Sequence, residues 1–142
     1  MAAKTTQSAN DIVNYLVRGA APSWAGATTL YLALHTGAVP LLGAQDTNEV
    51  AYTGYARVAF IRDPATGLFS AAAAGQSTNN ALVQFGICTG GTLPVVASHA
   101  SIGTAPTGAG VALLSGTLAS ALTININIRP EFDPSSIIYG EQ

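Results

Sequence analysis

The feature that most restricts this chain is a long stretch without ionic side chains. From Pro64 to Ile128 no Asp, Glu, Lys or Arg occurs. The end of that stretch, "GVALLSGTLASALTININI" from Gly110 to Ile128, nevertheless alternates apolar and small polar residues. A period of two is the pattern of a strand with one covered face and one open face. The chain must therefore build sheets whose open faces carry Ala, Ser, Thr, Asn and Gly instead of charge. Charged residues make up 8% of the sequence, against roughly 25% in an ordinary soluble domain.

The 142 residues suit one domain spanning residues 1–142, long enough to bury a core without disulfides or metal. Net charge is −2, and the five cations (Lys4, Arg18, Arg57, Arg62 and Arg129) are scattered, so no footprint for nucleic acid is visible. A single cysteine, Cys88, excludes an intramolecular disulfide. Gly116, Ser120, Asn125 and Asn127 break the most apolar run well short of a membrane-spanning helix. Too few long alternating strands and too few aromatics argue against a transmembrane barrel, so no membrane partner is expected. The start, "MAAKTTQSAND", lacks the apolar centre of a signal peptide, which implies synthesis and retention in a cytosol.

One helix is expected, over residues 8–19. Ser8 suits its N-cap, and Asp11 favours the positive end of the helix. Ile12, Tyr15 and Leu16 fall on one face, and Val13 and Val17 form a second apolar stripe. Arg18 and Gly19 stop the helix, with Pro22 shortly after. Residues 1–7 read as a flexible arm. Strand patterns then follow in "TTLYLALHT", "GYARVAFIR", "ALVQFGICT", "PVVASHASIGT", "GVALLSGTL", "ALTININI" and "SSIIYG". "ALVQFGICT" reads as buried on both faces. "ALTININI" reads as Leu122, Ile124, Ile126 and Ile128 inward with Thr123, Asn125 and Asn127 outward. The run "AAAAG" from Ala71 to Gly75 suits either a helical turn or a flat strand. The segments "HTGAVPLLGAQDTN", "RDPATG", "TGGTLP" and "APTGAG" punctuate the strands. The expected fold is all-β: a jelly-roll-like antiparallel β-sandwich of seven or eight strands with a short N-terminal helix.

Groups able to do chemistry are few. Cys88 and His99 are a conceivable thiolate pair, but Cys88 sits in an apolar strand pattern, where cysteine is usually a small buried hydrophobe. His35, His99 and Cys88 lie in separate strands and lack the spacing of a zinc site. The carboxylates Asp46, Glu49, Asp63, Glu131 and Asp133 sit in loops or at strand ends, as solvated turn residues or short pairs such as Asp63 with Arg62. "GTAPTGAG" lacks the Lys-Ser/Thr of a phosphate loop and reads as a hairpin turn. No catalytic, cofactor-binding or metal-binding residue is assigned, no cofactor is expected, and the chain is not expected to be an enzyme. Neutral surface can approach another protein without desolvating ions, and interface cores are depleted in charge. Much of the outside is therefore expected to be covered, in a homo-oligomer or a larger assembly.

Three segments carry a resemblance: "TTLYLALHTG", "AQDTNEVAYTGYARVAF" and "SHASIGTAPTGAGVALLSGTL". They are similar to a family of small proteins of tailed bacteriophages, labelled capsid cement or decoration proteins, some of them tail-fibre-like. The matching positions are Leu30 to Thr36, Thr47 to Val58 and Ser101 to Gly110, and Ser101 stands where a Gly is common. The resemblance implies a jelly-roll sandwich on the outer surface of the expanded capsid. It implies a homodimer in preference to a trimer, with the phage major capsid protein as partner and no catalytic residues. The rival readings are a tail-associated or host-receptor-binding module and, from another class, a small carbohydrate-binding or hydrolase domain.

Five residues stand out as interaction or motif candidates: Tyr15, Trp24, Tyr52, Tyr55 and Arg57. Arg57 can pair with Glu49 across a hairpin or contact the capsid. Trp24 can anchor the helix to the sheet or fill a partner's pocket. Gly54, between Tyr52 and Tyr55, fits a bulge or tight corner.

Overall fold

The computed structural model describes residues 3–39 and 44–140. Residues 40–43, part of one expected turn, and residues 1–2 of the expected arm lie outside the described residues. The elements run β1 (Ala3–Lys4), α1 (Thr6–Arg18), β2 (Thr29–His35), β3 (Val58–Ile61), β4 (Gln76–Thr78), β5 (Val83–Gln84), β6 (Val95–Gly103), β7 (Ala112–Ile124), β8 (Glu131–Phe132) and β9 (Ile138–Gly140). Strands β1, β7, β6, β2 and β3 form one antiparallel sheet in that order; β4 pairs with β9 and β5 with β8. The expected antiparallel β-sandwich with one N-terminal helix is what forms.

The core lies between the large sheet and the two ribbons. Leu30, Leu32 and Leu34 of β2 and Ile102 of β6 meet Val83 and Phe85 from the β5 side, and Phe132 of β8 packs against them. The alternation read in "TTLYLALHT" sets this inward row. Ala33 and His35 on its other face are buried too, because the loop through Gln45 and Thr47 covers that end of the sheet.

Helix α1 begins earlier than the sequence suggests. Thr5, not Ser8, is the N-cap: its side chain accepts a hydrogen bond from the Ser8 amide. Ser8 is buried, and its hydroxyl donates to the carbonyl of Leu113 at 2.6 Å, tying the helix to β7. Gly19 ends the helix in the left-handed conformation, as its position implied.

Three strand readings change. "GVALLSGTL" and "ALT" merge into the single thirteen-residue β7. The strand stops at Ile124, since Asn125 to Ile128 form a turn with Asn127 left-handed at φ 64°. Asn tolerates that conformation at little cost, so Ile126 and Ile128 point outward instead of inward. "ALVQFGICT" is covered on one face only: Val83, Phe85 and Cys88 are buried, while Leu82 and Ile87 are exposed. "AAAAG" is neither helix nor strand but a tight turn, with Ala74 and Gly75 both at positive φ and Ala73 bridged to Gln76.

Candidate interaction surface

The TNE…YTGYAR motif is an internal clamp. Arg57 is almost wholly buried, and its guanidinium donates through all three nitrogens. Nε and Nη2 form a fork on Glu49 at 2.8 and 2.7 Å. Nη1 reaches the Ala105 carbonyl at 2.8 Å and Gln45 Oε1 at 3.2 Å, and Nη2 reaches the Gly108 carbonyl at 2.7 Å. These contacts use the full set of five N–H donors that a guanidinium offers. Arg57 thereby fastens the β6–β7 loop to the segment that precedes Val50. The Glu49 hydrogen bonds, the largest influence, raise the Arg57 pKa.

Tyr55 completes the clamp. Its hydroxyl donates to Glu49 Oε1 at 2.9 Å and accepts from the Leu34 amide at 3.1 Å. Its ring stacks on Phe85 and meets Tyr52 edge-on. Burial pushes the Tyr55 phenol far above its ordinary range. The Tyr52 hydroxyl donates to the Gly86 carbonyl at 2.8 Å, and burial pushes its pKa up to about 12. Beside them Gly54, at φ 101°, forms the tight corner: a Cβ there would strike the Ile87 carbonyl, and one on Gly86 would strike the Gly54 carbonyl. Tyr52, Tyr55 and Arg57 thus come together, with their polar atoms turned to partners inside the chain.

Trp24 lies apart from this group and joins the helix to the sheet. Its indole N–H donates to Asp11 Oδ2 at 2.7 Å. Arg62 stacks over its ring at 5.8 Å and donates to the carbonyls of Trp24 and Ala27. Asp63 does not pair with Arg62. It caps its own turn by accepting from the amides of Ala65 and Thr66, which lower its pKa.

The histidines and the cysteine are engaged separately. His35 is buried, with Nδ1 2.9 Å from the Thr47 carbonyl and Nε2 2.7 Å from Ser101 Oγ. A carbonyl can only accept, so Nδ1 carries the proton and Nε2 accepts from the serine in the neutral ring. Burial lowers the His35 pKa and favours that neutral form. His99 contacts Ser98 and Thr117, while Cys88 is buried with Sγ 3.6 Å from the Gly90 carbonyl. Among the described residues no group of three or more His, Cys, Asp or Glu could hold a metal ion. None of their helices is long and apolar enough to cross a membrane.

The unsatisfied chemistry is apolar and outside. On α1, Leu16 is 74% exposed and Val17 73%, with Val13 beside them at helical spacing and Tyr15 at 56%. The helix docks through Ser8 near its start, so its second half stands clear of the sheet. At the far end of β7, Ile126 is 58% exposed, and Ile128, Ile87 and Val96 are also open. Hydrogen bonds between Cys88 and both Asn127 and Ile128 bring Ile87 to that turn. The second apolar stripe of Val13 and Val17 was legible in the sequence, whereas the exposure of Ile126 and Ile128 was not. The left-handed Gly19 and the polar Asn125 and Asn127 were the available signals.

Comparison with characterised proteins returned no match. A family model described as podophage GP4 fiber I protein gp80 matches residues 3–139. With nearly its whole length matched, the chain belongs to the podophage GP4 fiber I protein gp80 family and is a structural protein of a phage virion.

Proposed function

We propose that this protein is a capsid cement protein, a block that sits on the outside of the expanded phage capsid and bridges neighbouring major capsid subunits. The observation that carries the reading is the pair of exposed apolar patches at opposite ends of β7, Val13–Leu16–Val17 and Ile87–Ile126–Ile128. The paired strand β6 covers the length from Leu114 to Ile124 in the seven steps from Ile102 to Val95, on the order of 23 Å. A rigid body with a neutral contact at each end can hold two neighbours at a fixed spacing. If it binds only the expanded spacing, its binding free energy stabilises that state against internal DNA pressure. Many symmetric copies then multiply a modest contribution from each site.

On this reading the chain resembles, in size and strand pattern, the cement member of a podovirus infecting Bordetella. The word "fiber" in the family description favours a second reading, a tail-associated or receptor-binding subunit using the same patches. Co-sedimentation separates the two. The purified protein is expected to pellet with expanded empty capsids and not with the unexpanded precursor. Labelling of tails or host cells, with no binding to expanded shells, would reject the cement reading in favour of the second.

A further inference from the structure

The β6–β7 loop is fixed from inside at both ends of its exposed tip. Thr104 and Val111 close it as a hairpin. Within that closure the carbonyls of Ala105 and Gly108 accept from Arg57, and the carbonyl of Ala109 accepts from the Gln45 amide at 2.6 Å. These bonds turn main chain inward and leave the side chains of Pro106 and Thr107 exposed between them. A buried ion pair is weak evidence for stability, since well-packed apolar residues of the same volume often hold a fold as well or better. What the guanidinium supplies, and an apolar filling cannot, is a fixed shape for a polar loop. Rigidly held loops are where binding residues concentrate, and a shape set in advance lowers the cost of binding.

The loop forms one wall of a cleft of about 670 Å³, lined also by Gly91 and Thr92 and by the motif segment from Glu49 to Arg57. Thr53, Thr92 and Thr107 are exposed on this lining, and none of their hydroxyls has a hydrogen-bond partner among the described residues. The only charged residues lining it are Glu49 and Arg57, which face each other at 2.7 Å and cancel. We infer that this cleft, with Pro106 and Thr107 as its lip, receives an uncharged main-chain segment of a different virion protein.

The lining selects this occupant. A hydroxyl both donates and accepts, so the three threonines can match the N–H and C=O groups of a backbone passing through the cleft. Pro106 and Ala51 offer small apolar contacts beside them. A charged segment would find no uncompensated counter-charge, because the N–H donors of Arg57 are already taken up inside the chain. A sugar would find no open ring face: Tyr52 is 7% exposed, and Tyr55 is stacked on Phe85 and met edge-on by Tyr52. The cleft is lined by none of the residues of the two apolar patches, and the inference stands whether the protein sits on a head or a tail.

Thr107→Cys tests it on assembled phage. Cys88 is buried and does not compete for a thiol reagent. In the free protein, dilute or concentrated, a maleimide is expected to label the introduced thiol rapidly. In virions assembled with the variant, labelling is expected to slow roughly tenfold or more, because a contact core excludes water. Thr107→Arg is expected to fold with an unchanged far-UV circular dichroism spectrum. In direct competition it should enter virions roughly a hundredfold less well than the unsubstituted protein, since its charge would be buried unpaired. Thr107→Ser, which keeps the hydroxyl, should enter normally. Equal labelling in virions and in solution would overturn the inference. So would a thiol already protected in the concentrated free protein, which would place another copy in the cleft, or entry of Thr107→Arg equal to that of the unsubstituted protein. Failure of the protein to pellet with expanded capsids would reject the cement reading alone and leave these outcomes standing.

Discussion

Replacing Arg57 with Ala should unfold the corner that the motif builds, and the size of the effect follows from its contacts. The guanidinium is 1% exposed and its partner Glu49 17% exposed. Removing the cation leaves a half-buried carboxylate without its counter-charge. It also strands the carbonyls of Ala105 and Gly108 and the amide oxygen of Gln45. Breaking one side of a buried ion pair costs about 3–5 kcal/mol, a large part of the roughly 5–15 kcal/mol that holds a domain together. With a urea slope of about 2 kcal/mol per molar, the unfolding midpoint should fall by about 2 M. Arg57→Lys should recover only part of this, because an ammonium has three donors for five contacts and no fork. Glu49→Ala combined with Arg57→Ala should cost clearly less than the sum of the two single changes. A midpoint shift worth under about 1 kcal/mol in Arg57→Ala, far below the range for a broken buried pair, together with lost particle binding, would show that Arg57 is a contact residue and not a clamp.

Three further outcomes are expected. His35 is held neutral, with its pKa below the unfolded value of 6.5. The unfolded chain therefore takes up a proton that the native chain refuses as pH falls through 6.5. Stability from this group is complete above that pH and is lost below it, at up to about 1.4 kcal/mol per pH unit; urea titrations from pH 8 to 5 should show the slope, and His35→Gln should flatten it. Changing Val13, Leu16 and Val17 together to Ser should alter thermal stability little, since exposed changes stay within about 0.5 kcal/mol each, yet abolish co-sedimentation with expanded capsids. Gly86→Ala drives a methyl group into the Gly54 carbonyl and should cost about 2–3 kcal/mol as overpacking, read as a lowered urea midpoint.

Much of this molecule was written in local pattern. Period-two alternation placed β2, β3, β6 and most of β7, and Gly19 marked the helix end, because both signals act over a few neighbouring residues. The scarcity of charge implied covered surfaces before any fold was known. The partners of Arg57 were only half legible. Glu49 lies eight residues away and was within reach of a hairpin argument, whereas the carbonyls of Ala105 and Gly108 come from a loop that only the sheet order brings near. The helix cap moved to Thr5 because burial of Ser8 against Leu113 outweighed the local capping preference. The inward reading of Ile126 and Ile128 failed for a related reason: alternation persists in the sequence after the backbone has turned at Asn127.

By itself, then, the sequence determined that this chain makes neutral strands joined by glycine and proline turns, since side-chain periodicity is a property of the strand alone. Only the tertiary structure decided which neutral edges and apolar tips remain uncovered. Exposure depends on what packs from elsewhere in the chain, and no window of neighbouring residues carries that information.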